Sequence, residues 1–232
     1  MNFYARPKYL NKMTFNDFRN FIQHGVYVVI DPAVRLMVKC GVTPNMMTTV
    51  GLLGNIFAAS LFIYSALYVP ADDFSIVGYA GLTILLFSIF DMVDGYMART
   101  ANMCSTFGAF YDSVLDRYCE LFTLSGIAFY FVQHGYSIGA VITFLSLIGS
   151  IMVSYVRARA EGLGLECKVG LMQRPERVVL TSFGAMLCGL LEPVVRDSFD
   201  PMWILLTPQI IIAILANYTA FVRINHVRNL LK

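Results

Sequence analysis

Phe107-Gly-Ala-Phe-Tyr-Asp112-Ser-Val-Leu-Asp116-Arg117-Tyr-Cys-Glu120-Leu-Phe-Thr-Leu-Ser-Gly-Ile-Ala-Phe-Tyr-Phe-Val132 is the stretch whose reading decides the fold. It is long enough to cross a bilayer, yet it carries Asp112, Asp116, Arg117 and Glu120. Ionisable side chains inside an apolar helix are expensive and usually mark a functional site. Accepting those charges turns five apolar runs into six transmembrane helices. The five uncharged runs are Val50–Val69, Phe74–Phe90, Gly135–Val156, Val178–Leu191 and Pro201–Val222. Val178–Leu191 is short, so it is expected to extend into its flanks or to tilt.

Composition supports the membrane reading. The chain has 232 residues, 57% hydrophobic against 14% charged, which is far too apolar for a soluble domain of this size. A mean hydropathy of +0.64 agrees. The expected fold is therefore an all-α integral membrane protein of six transmembrane helices, preceded by an N-terminal amphipathic helix in the interface. Residues 1–42 are expected to form that interfacial segment and residues 43–232 the membrane domain.

Apolar residues at helical spacing, Phe18, Phe21, Ile22, Val26, Val29, Ile30, Val34, Met37 and Val38, carry the amphipathic segment. Pro32 is expected to break or kink it. A helix packed against the bundle fits the same pattern as well as one lying on the membrane. Thr43 or Asn45 is expected to cap the first span. Met1 to Lys12 is polar and basic with no apolar run behind it, so no cleavable signal is expected. Cys40, Cys104, Cys119, Cys167 and Cys188 show no paired spacing and read as free thiols.

Basic residues fix an orientation. Under the six-helix reading, the basic groups from Arg6 to Lys39, Arg99, Arg117, Arg157–Arg177 and Arg223–Lys232 fall on one side. Arg196 falls opposite, among Asp72, Asp73, Glu192, Asp197 and Asp200. The positive-inside rule then puts both termini and the acid-bearing helix ends in the cytoplasm. The basic face suits anionic headgroups or phosphate substrates, and nucleic acid is not expected as a partner.

Four carboxylates hold the chemistry. Asp91 and Asp94, at i and i+3, share a helix face, as do Asp112 and Asp116 at i and i+4. Acids gathered in a low-dielectric place cannot all stay ionised without cations. Hard oxygen donors favour Mg²⁺, Mn²⁺ or Ca²⁺ over zinc, and Mg²⁺ commonly shares its shell with a substrate phosphate. Gly95 and Gly108 beside the acids let a ligand or a facing backbone approach closely.

The string Asp91-x-x-Asp94-Gly95-x-x-Ala98-Arg99, eight residues, Gly108, three residues, Asp112, three residues, Asp116 resembles the whole signature of the CDP-alcohol phosphotransferases. What the resemblance implies is attack by an alcohol on the β-phosphorus of a CDP-linked lipid, with release of CMP. It implies that Asp91, Asp94 and Asp112 are metal ligands and that Asp116 is both ligand and catalytic base. Two Mg²⁺ or Mn²⁺ ions would neutralise the diphosphate and orient the attacking oxygen. Gly95, Arg99, Ser105 and Gly108, with Asn45 and Thr48 opening the first span, resemble positions that contact the nucleotide. For Asn45 and Thr48, helix capping accounts for the residue types equally well.

Downstream, Ser154-Tyr-Val-Arg157-Ala-Arg159-Ala-Glu161, then Arg174-Pro-Glu-Arg177 and Arg223, are similar to strings in bacterial phosphatidylinositol phosphate synthases. The resemblance implies that Ser154, Arg157, Arg159, Arg174, Arg177 and Arg223 line a pocket for the acceptor's phosphate. Arginine forks suit an anionic acceptor. Basic residues at helix ends also serve as interfacial anchors, and the pattern alone allows either role.

The implied activity is transfer of the phosphatidyl group of CDP-diacylglycerol to a phosphorylated alcohol, with inositol 1-phosphate favoured. The implied setting is a bacterial inner membrane, a homodimer and a cytoplasm-facing site. Phosphatidylglycerophosphate and phosphatidylinositol synthesis are alternatives within the family. A prenyltransferase usually has acidic motifs further apart than this 26-residue stretch. A divalent-cation transporter would need an outer entry path, whereas these acids lie towards one set of helix ends.

Overall fold

A computed structural model describes residues 30–232, which are helical throughout apart from connecting turns and loops. Residues 30–39 form a helical segment (α1). Six long helices follow: α2 (Pro44–Tyr68), α3 (Ser75–Thr100), α4 (Thr106–Gln133), α5 (Ser137–Glu161), α6 (Arg174–Val195) and α7 (Met202–Leu230). Five of them, all except α4, are long and apolar enough to cross a membrane. The 28 residues of α4 coincide within one residue at each end with the charged stretch Phe107–Val132. The short fifth run does extend into its flanks, becoming the 22 residues of α6.

Local sequence explains where the helices begin. Thr43 caps α2 by accepting from the Met46 amide at 3.4 Å, and Pro44 takes the first helical turn, where a missing N–H costs nothing. Asn45 is therefore not the cap. Ser105 caps α4 by accepting from the Gly108 amide at 2.9 Å. Asp73 accepts from the Ser75 amide at 2.9 Å, and that bond holds its carboxyl below the usual carboxylate range. Gly135 (φ 78°) turns the chain tightly between α4 and α5, a conformation that costs other residues a Cβ clash.

The six long helices close into a ring in the order α2–α3–α6–α7–α5–α4, and α4 returns to α2. Small residues make the close contacts, as expected where no water drives helices together. A Cβ on Gly81 of α3 would stand 2.5 Å from the Met186 amide nitrogen of α6. One on Gly126 of α4 would stand 3.0 Å from the Ala59 backbone of α2.

One end of the bundle is an apolar core of Ala58, Phe62, Phe74, Val77, Ile127, Tyr130, Phe131 and Leu205, among others. The opposite end holds the acids and most of the arginines. A small cavity of about 40 Å³ on the ring's axis is lined from all six long helices.

The amphipathic stretch expected from Phe18 lies outside the described residues except for its end, α1. There, Val34 is buried against Met47, Val93 and Met97, so α1 packs on the bundle. Asp31 of α1 accepts from the Tyr96 hydroxyl of α3 at 2.7 Å. The helix continues past Pro32, because a proline obstructs the turn before it rather than the one after. All five cysteines are free thiols.

Candidate active site

Asp91 lies near the C-terminal end of α3, and Asp112 and Asp116 lie near the start of α4, so antiparallel helices bring them to one depth. Carboxylate oxygens of these three residues lie within 4.8 Å of one another. The helices carrying them are not principal neighbours: α2 stands between α3 and α4 in the ring, and the acids meet across its interior. Asp94, one turn beyond Asp91, is not part of the trio. It is buried and accepts from the Thr48 hydroxyl of α2 at 2.7 Å.

Arg174, the first residue of α6, points its guanidinium into the cluster. Nη1 reaches Asp91 Oδ2 at 2.5 Å, and Nη2 reaches Asp116 Oδ1 at 2.8 Å. A cation is thus already bound by two of the acids. Three hard-oxygen donors at this spacing fit a divalent ion, and the guanidinium marks where positive charge is accommodated.

Two further cavities meet at the acids. The first, about 210 Å³, is lined by Asn45, Thr48, Asp94, Gly95, Arg99, Ser105, Gly108 and Asp112, among others. It contains every residue expected to contact the nucleotide. Gly108 keeps it open: a Cβ there would meet Ser105 Oγ at 2.9 Å and Asn45 Oδ1 at 3.2 Å. The second, about 330 Å³, is lined by Asp112, Asp116, Ser154, Arg157, Arg174, Arg177 and Arg223, among others. Arg159 is exposed and lines neither cavity, since two residues along a helix turn its side chain away from Arg157.

The arginines of the second cavity differ in what holds them. Arg157 pairs with Glu161 at 2.8 Å and stays partly exposed. Arg177 is 3% exposed; its Nε donates to Glu120 Oε1 at 2.8 Å and its Nη1 to the Met172 carbonyl at 3.2 Å. Arg223 is equally buried and donates to the carbonyls of Val169 at 2.8 Å and Val153 at 2.6 Å. Those bonds tie the 162–173 loop to α5 and α7. Sequence reasoning grouped all these arginines as acceptor contacts and overlooked Glu120 as a partner. A glutamate inside an apolar run needs a cation at its own depth, and that was the available signal.

Hard carboxylates at one end of a membrane bundle, with arginines across a shared opening, define a class: membrane enzymes that work on phosphate esters with a divalent ion. The chain belongs to the CDP-alcohol phosphatidyltransferase family, whose model matches residues 41–221. It is accordingly an integral membrane protein. It is 30% identical over 202 residues to the phosphatidylinositol phosphate synthase of Mycobacteroides abscessus, covering 86% of this chain and 84% of that one. A crystal structure of the Mycobacterium tuberculosis phosphatidylinositol phosphate synthase with CDP-DAG bound is similar with a TM-score of 0.70 at 26% identity, covering 84% of this chain and 92% of that chain. The same enzyme in complex with manganese and citrate gives a TM-score of 0.73 at 27% identity, covering 84% and 87%.

Proposed function

We propose that this chain transfers the phosphatidyl group of CDP-diacylglycerol to inositol 1-phosphate, forming phosphatidylinositol phosphate and releasing CMP. One observation carries the reading: Asp112 lines both cavities, so a diphosphate seated in one and a hydroxyl entering through the other meet at the acids. The names of the relatives and the bound molecules in the two crystal structures support the same donor, acceptor class and divalent metal.

Asp91, Asp94, Asp112 and Asp116 are the metal ligands in this reading, and two Mg²⁺ or Mn²⁺ ions match four carboxylates around a diphosphate. The bound ions supply charge neutralisation on the diphosphate and the departing CMP. Asn45, Thr48, Gly95, Arg99, Ser105 and Gly108 hold the cytidine diphosphate end of the lipid. Ser154, Arg157 and Arg174 hold the acceptor's phosphate, while Arg177 and Arg223 brace the cavity that contains them. Asp116 takes the proton of the acceptor hydroxyl as its oxygen bonds to the β-phosphorus. The bond from that phosphorus to the bridging oxygen breaks, and CMP leaves. A carboxylate is a weak base towards an alcohol, so positioning of the hydroxyl supplies much of the rate.

The reading includes six spans, with α4 as the sixth. Its 28 residues extend about 42 Å at 1.5 Å each, more than a hydrocarbon core of about 30 Å. It also includes an interfacial segment over residues 1–42 ahead of a membrane domain over 43–232, a bacterial inner membrane, a cytoplasm-facing site and a homodimer. The basic residues gathered at the site end support that orientation.

Incubating the purified chain with CDP-diacylglycerol and Mn²⁺ or Mg²⁺ tests the activity, using inositol 1-phosphate, glycerol 3-phosphate or inositol as acceptor. CMP release with inositol 1-phosphate and a lipid product of matching mass is expected. Release with glycerol 3-phosphate alone would refute the acceptor while sparing the reaction. Mn²⁺ uptake into proteoliposomes with no CMP release would refute the enzyme reading and favour a transporter.

A further inference from the structure

We infer that Arg174 is an exchangeable counter-cation. It holds Asp91 and Asp116 together when no divalent ion is bound, and turns into the 330 Å³ basic cavity to meet the acceptor's phosphate when one is. Metal and acceptor then bind cooperatively because both require the same movement. The inference rests on the proposed reaction and adds to it a coupling between the two sites.

The contacts and placement of Arg174 carry it. The guanidinium takes oxygens of two of the three carboxylates that converge within 4.8 Å, so arginine and a hard cation compete for the same acid cluster. The Asp91 and Asp116 oxygens that the guanidinium engages are not free to ligate an ion, so the ion must displace it from them. The hold is also incomplete. Arg174 Nε is buried without a hydrogen-bond partner, and such an unmet donor weakens the acid-bound pose relative to one that satisfies it. A phosphate can accept from Nε and an Nη together, as the acids here do not.

The destination is adjacent, because Arg174 lines the axial cavity and the basic cavity alike. It is the first residue of α6, so its side chain stands at a helix end beside the opening of the basic cavity. Ser154 and Arg157 already face the place it would reach.

Linkage gives the consequence its sign. A metal ion binds the state with Arg174 withdrawn, and so does the acceptor phosphate; each therefore tightens the other by the same factor. Without the arginine, the acids are unmasked and the coupling has no carrier.

The test measures Mn²⁺ binding to the full chain in detergent by electron paramagnetic resonance, with and without inositol 1-phosphate. Free inositol serves as the control, and Mn²⁺ bound by the phosphate in buffer is subtracted. In the wild type, inositol 1-phosphate should tighten Mn²⁺ binding by about five-fold or more, the usual lower end of such coupling. Arg174→Ala should bind Mn²⁺ more tightly than wild type by a similar factor and show no response to inositol 1-phosphate. Arg174→Lys, which keeps a charge but not the fork, should fall between them and guards against a folding defect in the alanine variant. Mn²⁺ binding that is equal or weaker in both variants, or coupling that survives in Arg174→Ala, overturns the inference. If wild type releases CMP while either of these results holds, the exchange alone fails; if wild type neither binds Mn²⁺ nor releases CMP, the proposed function fails with it.

Discussion

Replacing Arg177 with methionine separates a bracing role from an acceptor-binding role. Arg177 is 3% exposed and Glu120 is 7% exposed, and the guanidinium approaches Glu120 Oε1 through both Nε and Nη2 at 2.8 Å. Removing the arginine leaves a carboxylate buried without its counter-charge. Breaking one side of a buried pair costs about 3–5 kcal/mol, whereas exchanging both sides for apolar groups of similar volume is close to neutral. Each kcal/mol moves the midpoint of a chain this size by roughly 2–4 °C, so Arg177→Met should melt about 6–20 °C lower.

Glu120→Leu combined with Arg177→Met should recover most of that loss. The protein carries its own reporters: Cys119, Cys167 and Cys188 are buried, so a thiol-reactive fluorogenic dye detects unfolding on heating. Serine at the exposed Cys40 and Cys104 removes the background. All variants are heated at one scan rate, since membrane proteins often unfold irreversibly. A single variant that melts with wild type but loses affinity for inositol 1-phosphate would refute the bracing role. So would a double variant no more stable than the single one.

Two further substitutions address the site. Asp116→Asn keeps the shape and removes the basic oxygen, so CMP release should fall by about 10²–10⁴-fold. CDP-lipid binding, followed by equilibrium dialysis, should persist in part. Gly108→Ala puts a Cβ 2.9 Å from Ser105 Oγ and 3.2 Å from Asn45 Oδ1, so it should raise KM for CDP-diacylglycerol several-fold and leave that for inositol 1-phosphate unchanged.

The helical repeat made much of this molecule legible. Accepting charges within a long apolar run identified α4 to within a residue at each end, and the i, i+4 pair Asp112 and Asp116 does meet in one cluster. Resemblance to a family signature then picked out the residues that line the 210 Å³ cavity. What stayed hidden depends on how helices sit beside one another, which periodicity does not encode. Nothing in the spacing of Asp91 and Asp112 says that α2 stands between their helices. Nor does it say that Asp94 turns to Thr48 while its neighbour joins the trio.

The arginines were harder for the same reason. Arg174, Arg177 and Arg223 look alike in sequence, yet one meets acids, one meets a glutamate 57 positions away and one meets backbone carbonyls. Length and charge are local properties, whereas the partner is a property of the packed bundle.

A ring that closes within one chain gives the protein two independent surfaces. The candidate site residues line two cavities at one end of the bundle, while side chains such as Leu53, Phe57 and Phe221 remain exposed on its outside. Bilayer thickness, lipid type or a second copy can select residues on the outside without rewriting those within. The four acids and the arginines opposite them belong to one chain, and its outer coat is free to diverge from one membrane to the next. Had the acids been divided between two subunits, every change of lipid surroundings would also have been a change of active site.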